Sequence, residues 1–270
     1  MESFAAMCRF LAYSGTPVFL DQLLIRPRAS LISQSLAARE AKTVVNGDGC
    51  GVGWYGEREE PGVYRGILPA WSDANLASLC SQIRSRLFVA HVRSATSGEV
   101  STANCHPFAA GRHVFMHNGQ VGGYDRLRRR VDALIPDELY PLRKGTSDSE
   151  AIFLTALGHG LDADPVGAVR KTLASILAAC GAGAEPLRFA AVHCDGETLY
   201  AYRWSSDGLP PSLYWRTEGD GIVVASEPCD ENCGVWGLVP PGSVLAVGPG
   251  RAARLIPFEV PMHGLAAAVA

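Results

Sequence analysis

Met7-Cys8-Arg9-Phe10-Leu11-Ala12-Tyr13 is the stretch on which the reading of this chain turns. A cysteine stands directly behind a methionine near the start, and a short apolar run follows it. Cysteine is small enough for an initiator methionine to be trimmed in front of it. A chain effectively begun at Met7 would therefore expose Cys8 as its first residue. That residue would carry a thiol and a free α-amino group together, the pairing that lets an N-terminal nucleophile supply its own base. The competing reading is a buried cysteine that opens a strand, since Cys is among the residue types most often fully buried.

Upstream, Met1-Glu2-Ser3-Phe4-Ala5-Ala6 reads as an extension, a propeptide or a misplaced start, so that residues 1–7 are expected to be absent from the active protein. Downstream, the apolar run predicts a strand over 8–13, ended by Ser14-Gly15-Thr16-Pro17. Residues 26–46 are polar and poorly periodic and read as a loop with a short helix. Glycines then alternate through Asp48-Gly49-Cys50-Gly51-Val52-Gly53-Trp54 into a second strand. A helix fits 73–84, capped by Asp73, with Leu76, Leu79, Cys80 and Ile83 on one face. Strands follow over 87–92 and 114–117. Ser147 and Glu150 form a Ser-x-x-Glu capping box that opens an apolar helix to about residue 157. Asp164-Pro165 starts another, with Val166, Val169, Leu173, Ile176 and Leu177 on one stripe, ended near Gly181.

Strand patterns then take over at 188–194, 198–204, 213–217, 221–226 and 244–247, with an Asp195-Gly196 turn between the first two. Strands, then helices, then strands describe an α+β domain whose sheets stack and are covered by helices. No linker, repeat or low-complexity block divides it, so 8–250 is read as one domain.

At 270 residues, with 47% hydrophobic and 19% charged, the chain has apolar material for a sizeable core. A net charge of −3 gives no electrostatic reason to expect nucleic acid or an anionic membrane surface as partner. No run reaches the roughly 18 apolar residues that a membrane helix needs, and no basic-then-apolar secretory pattern opens the chain. The eight cysteines, scattered and without a secretory signal, read as reduced thiols of a cytoplasmic protein.

Four further patches carry chemistry. Arg93, in His91-Val92-Arg93-Ser94-Ala95-Thr96, stands at a strand end where a guanidinium can grip a carboxylate bidentately; the plain alternative is a surface arginine. Asn118-Gly119 joins an amide side chain to an approachable backbone N–H, the donors that a tetrahedral oxyanion needs. Read in isolation, Asn-Gly is a hairpin turn. Asp148, in Thr146-Ser147-Asp148-Ser149-Glu150, could bind an ammonium group, although helix N-termini carry acids for capping as well. The glycines at 49–53 lack the Lys-Ser/Thr and the following helix of a phosphate loop, so nucleotide binding is rejected.

Cys229 and Cys233 lack nearby partner ligands, and no metal or other cofactor is expected. Arg126 to Arg130 reads as a solvated helix face. His106, His113 and His117 read as loop or core histidines. Cys105-His106 lacks the third member of a thiol-protease site.

A thiol with its own amine, an arginine for a carboxylate, an aspartate for an ammonium and an oxyanion pair together describe an amidase for an α-amino acid. The amide must lie beyond that amino acid's side chain, as in glutamine or a γ-glutamyl compound. Here the chain resembles the class II glutamine amidotransferases, which are N-terminal nucleophile (Ntn) hydrolases. It is most similar to the short stand-alone branch that includes the ergothioneine-pathway γ-glutamyl amidohydrolase. The matching residues are Met7-Cys8-Arg9, Asp48-Gly49-x-Gly51-x-Gly53, His91-x-Arg93-Ser94-Ala95-Thr96, His106-Pro107-Phe108, His117-Asn118-Gly119, Thr146-x-Asp148-Ser149-Glu150 and Ala225-Ser226-Glu227-Pro228, then Trp236 and Val239-Pro240.

The resemblance implies a four-layer αββα sandwich with Cys8 as nucleophile and its α-amine as base. It implies Arg93 on the substrate α-carboxylate, Asp148 on the α-amino group, and Asn118 with Gly119 as oxyanion hole. Cys50 stands where relatives usually carry Trp, a change expected in a pocket wall. A synthase domain has no room after residue 247, so an ammonia acceptor would be a separate chain. The alternatives are a hydrolase of an ergothioneine precursor or glutathione-like peptide, and a non-catalytic Ntn scaffold acting as a binding subunit.

Overall fold

The computed structural model describes residues 8–38, 45–94, 99–230, 235–250 and 252–262. The expectations for residues 1–7, Ala95, Thr96 and Cys233 fall outside them.

Thirteen strands and six helices are described among these residues. In chain order they are β1 (Arg9–Phe19), α1 (Asp21–Leu24), α2 (Leu31–Leu36), β2 (Cys50–Trp54), β3 (Gly62–Gly66), α3 (Ala74–Gln82), β4 (Arg84–Val92), β5 (Phe108–Ala110), β6 (His113–Val121), α4 (Tyr124–Asp132), α5 (Asp148–Gly158) and α6 (Pro165–Cys180). There follow β7 (Leu187–Cys194), β8 (Leu199–Ser205), β9 (Tyr214–Glu218), β10 (Gly221–Ala225), β11 (Gly237–Leu238), β12 (Ser243–Val247) and β13 (Ala253–Pro257). One sheet has the order β11-β9-β10-β1-β4-β2-β3 and the other β13-β12-β8-β7-β6-β5. The registered pairs are antiparallel, as short hairpin-type connections favour.

Side chains alternate between the faces of each strand, and this period of two builds three apolar layers. On β1, Phe10 and Ala12 face the other sheet and meet Leu87, Val89, Val114, Met116, Val192 and Ala201. Their neighbours Leu11 and Tyr13 face outward onto Leu20 and onto Leu24, Leu31, Leu76 and Cys80 of the first three helices. On the far sheet, Phe115, Phe189, Ala191 and Tyr202 face outward onto Ile152, Phe153, Val169, Leu173 and Ile176 of α5 and α6. The result is helices, sheet, sheet, helices: the αββα sandwich that the resemblance implied.

The helix ends follow local chemistry. Asp73 accepts the N–H groups of Asn75 and Leu76, each at 3.1 Å. Asp164 accepts the Gly167 N–H at 2.9 Å, Pro165 fills the first turn, and Gly181 ends α6 at φ +82°. Each such cap satisfies a donor that helix geometry leaves unpaired.

Three local expectations need correction. The strand begun near Cys8 does not stop at Ser14-Gly15-Thr16-Pro17. It bulges between Ser14 and Val18 and re-pairs with Ser85 and Arg84, because β4 still offers partners there and the bulge absorbs a proline that cannot donate. Asn118-Gly119 is no hairpin turn: both lie within β6, opposite Ala190 and Phe189. Only half of the capping box forms. Ser147 accepts the Glu150 N–H at 3.2 Å, but the Glu150 carboxylate turns upstream to the N–H groups of Lys144 and Gly145 and to Arg143.

Candidate active site

The layer between the sheets is apolar for most of its length and turns polar at one end. Strand alternation places the change. The inward positions continue from Phe10 to Cys8, from Val89 to His91 and Arg93, and from Met116 to Asn118. Residues far apart in sequence therefore converge at one end of the sandwich.

Cys8 is half-buried there. Its carbonyl oxygen accepts two hydrogen bonds, from Asn118 Nδ2 at 2.6 Å and from Arg9 Nη1 at 3.0 Å. The Ser94 N–H points at its sulfur at 3.3 Å, and the thiol donates to the Ser94 carbonyl at 3.4 Å. Burial pushes the thiol above its ordinary value; the Ser94 N–H and the charges of Arg93 and Arg9 pull it down by less. A thiol in that balance is protonated at neutral pH and needs a base.

The front of β1 is fastened from the outer face. Arg9 is fully buried and bonds Glu227 Oε2 through Nε at 3.0 Å. The Phe10 N–H donates to Ser226 Oγ at 3.0 Å, and the Ser226 N–H donates to the Phe10 carbonyl at 3.1 Å. The Ser226-Glu227 motif thus acts on Cys8 through the residues next to it.

Arg93 is held by its backbone against the glycine stretch. Its N–H donates to Gly49 O at 2.8 Å, and its carbonyl accepts the Asp48 N–H at 3.0 Å. Its guanidinium reaches the Glu99 carbonyl at 3.3 Å, and its charge is felt at Cys8, His91 and His106. The same Glu99 carbonyl accepts Asn104 Nδ2 at 3.0 Å. Asn104 also accepts the Thr146 N–H at 2.7 Å, so the Arg93 loop and the start of α5 share one clamp. Sequence reasoning missed Asn104, whose role is visible only through contacts some forty residues away.

Asp148 opens α5. Its Oδ2 accepts the Val121 N–H at 2.9 Å and its Oδ1 the Ser149 N–H at 2.8 Å. Both contacts fix the carboxylate at the first turn of the helix. Asn118 sits three residues before Val121 on β6, almost wholly buried, with no hydrogen-bond partner for its Oδ1 among the described residues. Gly119 has φ +144°, and a Cβ there would run into the Arg188 carbonyl, so only glycine fits.

Three histidines back this end. His91 and His106 pack at a tilt with centroids 4.2 Å apart, both buried. Burial, then the Arg93 charge, pulls His91 down to about 3, with the nearby Asn118 amide opposing; burial and the charge of His91 push His106 well below its usual range. Neither accepts a proton near neutrality. His117 lies on the outer face of β6, its Nδ1 2.9 Å from Ser149 Oγ and its Nε2 3.2 Å from the Arg188 carbonyl. Among the described residues, no three His, Cys, Asp or Glu side chains are grouped to hold a metal ion, and no helix is long and apolar enough to cross a membrane.

Cys50 does not line this site. Its thiol points to the outer layer, toward the Leu68 carbonyl at 3.6 Å and Asp73 Oδ2 at 3.8 Å. The inward positions of β2 are Gly51 and Gly53, against which His106 and Pro107 press closely enough to exclude a Cβ at Gly51. A different residue at position 50 would alter helix packing rather than a pocket wall.

A family model described as "Glutamine amidotransferases class-II" matches residues 25–209. The chain is 33% identical to the "Probable glutamine amidotransferase DUG3" of Saccharomyces cerevisiae, over 89% of this chain and 82% of that one. It is also 33% identical to the γ-glutamyl-hercynylcysteine sulfoxide hydrolase of Mycobacterium tuberculosis, over 87% of this chain and 90% of that one. Among solved structures, a glutamine aminotransferase class-II domain protein from Silicibacter pomeroyi matches with a TM-score of 0.74 and 39% identity, over 93% of this chain and 99% of that chain. The glutamine phosphoribosylpyrophosphate amidotransferase of Bacillus subtilis shares the fold at 16% identity, with a TM-score of 0.65 over 94% of this chain and half of that one.

Proposed function

The chain belongs to the class II glutamine amidotransferases, enzymes of amide C–N bonds, and from that premise we propose that it hydrolyses the side-chain amide of glutamine, or a γ-glutamyl amide, through Cys8. The observation that carries this reading is the meeting of Cys8, Arg93 and Asn118 at the polar end of the intersheet layer.

In a chain that begins at Cys8, the α-amine stands on the residue that attacks. Its ordinary pKa is about 7.7–8.0 against about 8.5 for a free thiol, and burial raises the Cys8 thiol further, so the proton moves as the sulfur attacks rather than before it. The amine takes the thiol proton as Sγ attacks the amide carbon. The oxyanion forms against Asn118 Nδ2 and the Gly119 N–H. The ammonium then gives its proton to the leaving nitrogen, the C–N bond breaks, and ammonia or an amine departs from a γ-glutamyl thioester. Water, deprotonated by the same amine, attacks the thioester; glutamate leaves and the thiol is restored. Arg93 holds the substrate α-carboxylate and Asp148 the α-ammonium, which fixes the γ-carbonyl over the sulfur.

Residues 8–250 act as one domain in this scheme, with residues 1–7 removed or never translated. Released ammonia passes either to water or to a separate synthase chain. The seven cysteines among the described residues are free thiols, which fits a cytoplasmic setting.

Intact mass before and after incubation with a glutamine-directed diazo-ketone tests the proposal. A mature chain that starts at Cys8 and gains one label there supports it. A chain that begins at Cys8 and never labels supports a binding scaffold instead. Rates on glutamine and on γ-glutamyl amides then rank the substrates.

A further inference from the structure

His117 enters neither the chemistry nor the substrate contacts above, yet its hydrogen bonds reach the proposed ammonium site. We propose that His117 and Ser149 set which lone pairs of Asp148 are open to the substrate α-ammonium, and so are positioning residues for amine recognition. The inference rests on the reading of Asp148 given under Proposed function.

The proton inventory argues it. His117 Nε2 faces the Arg188 carbonyl at 3.2 Å, and a carbonyl can only accept. Nε2 therefore carries the hydrogen. Burial, only partly opposed by the Asp148 charge, lowers the ring's pKa, so one proton is all that it holds at neutral pH. Its Nδ1 is then bare and must accept, and among the described residues the hydrogen within reach is that of the Ser149 hydroxyl at 2.9 Å. The opposite tautomer would set a bare nitrogen against a carbonyl oxygen, two acceptors facing each other in a buried site.

Ser149 Oγ also lies 3.3 Å from Asp148 Oδ1, close enough to donate to it. It has one hydrogen, and His117 takes it. Asp148 Oδ1 is left with the Ser149 N–H at 2.8 Å, Oδ2 with the Val121 N–H at 2.9 Å, and the remaining lone pairs stay open. Were the hydroxyl released, it would rotate onto the carboxylate and compete with the incoming ammonium. The ring also packs at a tilt against Phe189, with centroids 5.1 Å apart, which holds this arrangement in place.

The test uses the mature protein and two substrates, glutamine and glutaramate, which lacks only the α-amine. His117→Phe keeps the ring and removes the acceptor. The expected result is a roughly tenfold rise in KM for glutamine, the scale of one hydrogen bond to a charged group, with kcat little changed and glutaramate unaffected. The double variant His117→Phe/Ser149→Ala, which has no hydroxyl to release, should return the glutamine KM toward wild type. A double variant no better than the single one overturns the proposal. So does a loss in kcat at constant KM. Ser149→Ala alone covers the case in which His117→Phe fails to fold: its glutamine KM should stay within about threefold of wild type, and a larger change in either direction means that the hydroxyl already bonds Asp148. Asp148→Ala separates the layers. If it affects glutamine and glutaramate alike, the assignment of Asp148 itself fails; if it selectively impairs glutamine while the rescue fails, only the role of His117 and Ser149 falls.

Discussion

Asn118 Nδ2 lies 2.6 Å from the carbonyl oxygen of Cys8, so the amide proposed to meet the oxyanion is already tied to the backbone of the residue proposed to attack. Donor and nucleophile therefore keep a fixed spacing before substrate arrives. Asn118→Ala removes that donor and should lower kcat by about 10²–10³-fold, the usual cost of losing one oxyanion contact. Steady-state kinetics check it; a change confined to KM would remove Asn118 from the role.

Glu227 secures the same residue from the other side of the sheet. Glu227→Ala leaves the Arg9 guanidinium fully buried without its carboxylate. Breaking such a pair on one side costs about 3–5 kcal/mol. Urea unfolding of the variant should show a midpoint lowered accordingly, and the Cys8 label should form more slowly in the protein that remains folded.

Arg93→Lys keeps the positive charge and loses the planar fork. If Arg93 binds the α-carboxylate bidentately, KM for glutamine should rise about tenfold or more while kcat falls less. Saturation curves decide it. A lysine variant with wild-type KM would mean that the charge alone matters.

Acid stability follows from the histidines. His91 is held down to about 3, and burial also lowers His106 and His193. In the unfolded chain each titrates near 6.5. Between those values the unfolded state binds more protons than the folded one, so stability rises with pH in that window and is lost as pH falls from about 6.5 toward 3. Each such group adds a slope of up to about 1.4 kcal/mol per pH unit. Denaturation midpoints should be flat between about pH 7 and 8, below the range in which unfolded thiols titrate, and fall steadily below about pH 6. His91→Phe should make that fall shallower.

The readable parts of the fold were those decided within a few residues. Asp73, Ser147 and Asp164 cap the helices that they announced, because a cap is a contact with the next turn. Pro17 and Asn118-Gly119 misled because a turn signal states what the backbone can do, whereas pairing with β4 and β7 determines what it does. Cys50 was legible in retrospect: strand alternation puts it opposite in sense to Gly51 and Gly53. The converging site residues could be named from their chemistry, since few functions need that set. Asn104, the Arg188 carbonyl and the Arg9–Glu227 pair could not, because their importance comes from neighbours that only the folded chain supplies.

β1 lies inside its sheet, with β4 on one side and β10 on the other, and among the described residues its registered pairs begin at Arg9. The described pairing of β1 thus needs no free amine at Cys8, the group on which the proposed mechanism depends. A preparation carrying an affinity tag or leftover residues in front of Cys8 should melt cooperatively, show the expected circular dichroism and still be inert. Under the proposed mechanism a well-behaved sample is no guide to a working one, and the choice of which end to tag decides whether an assay measures the enzyme at all.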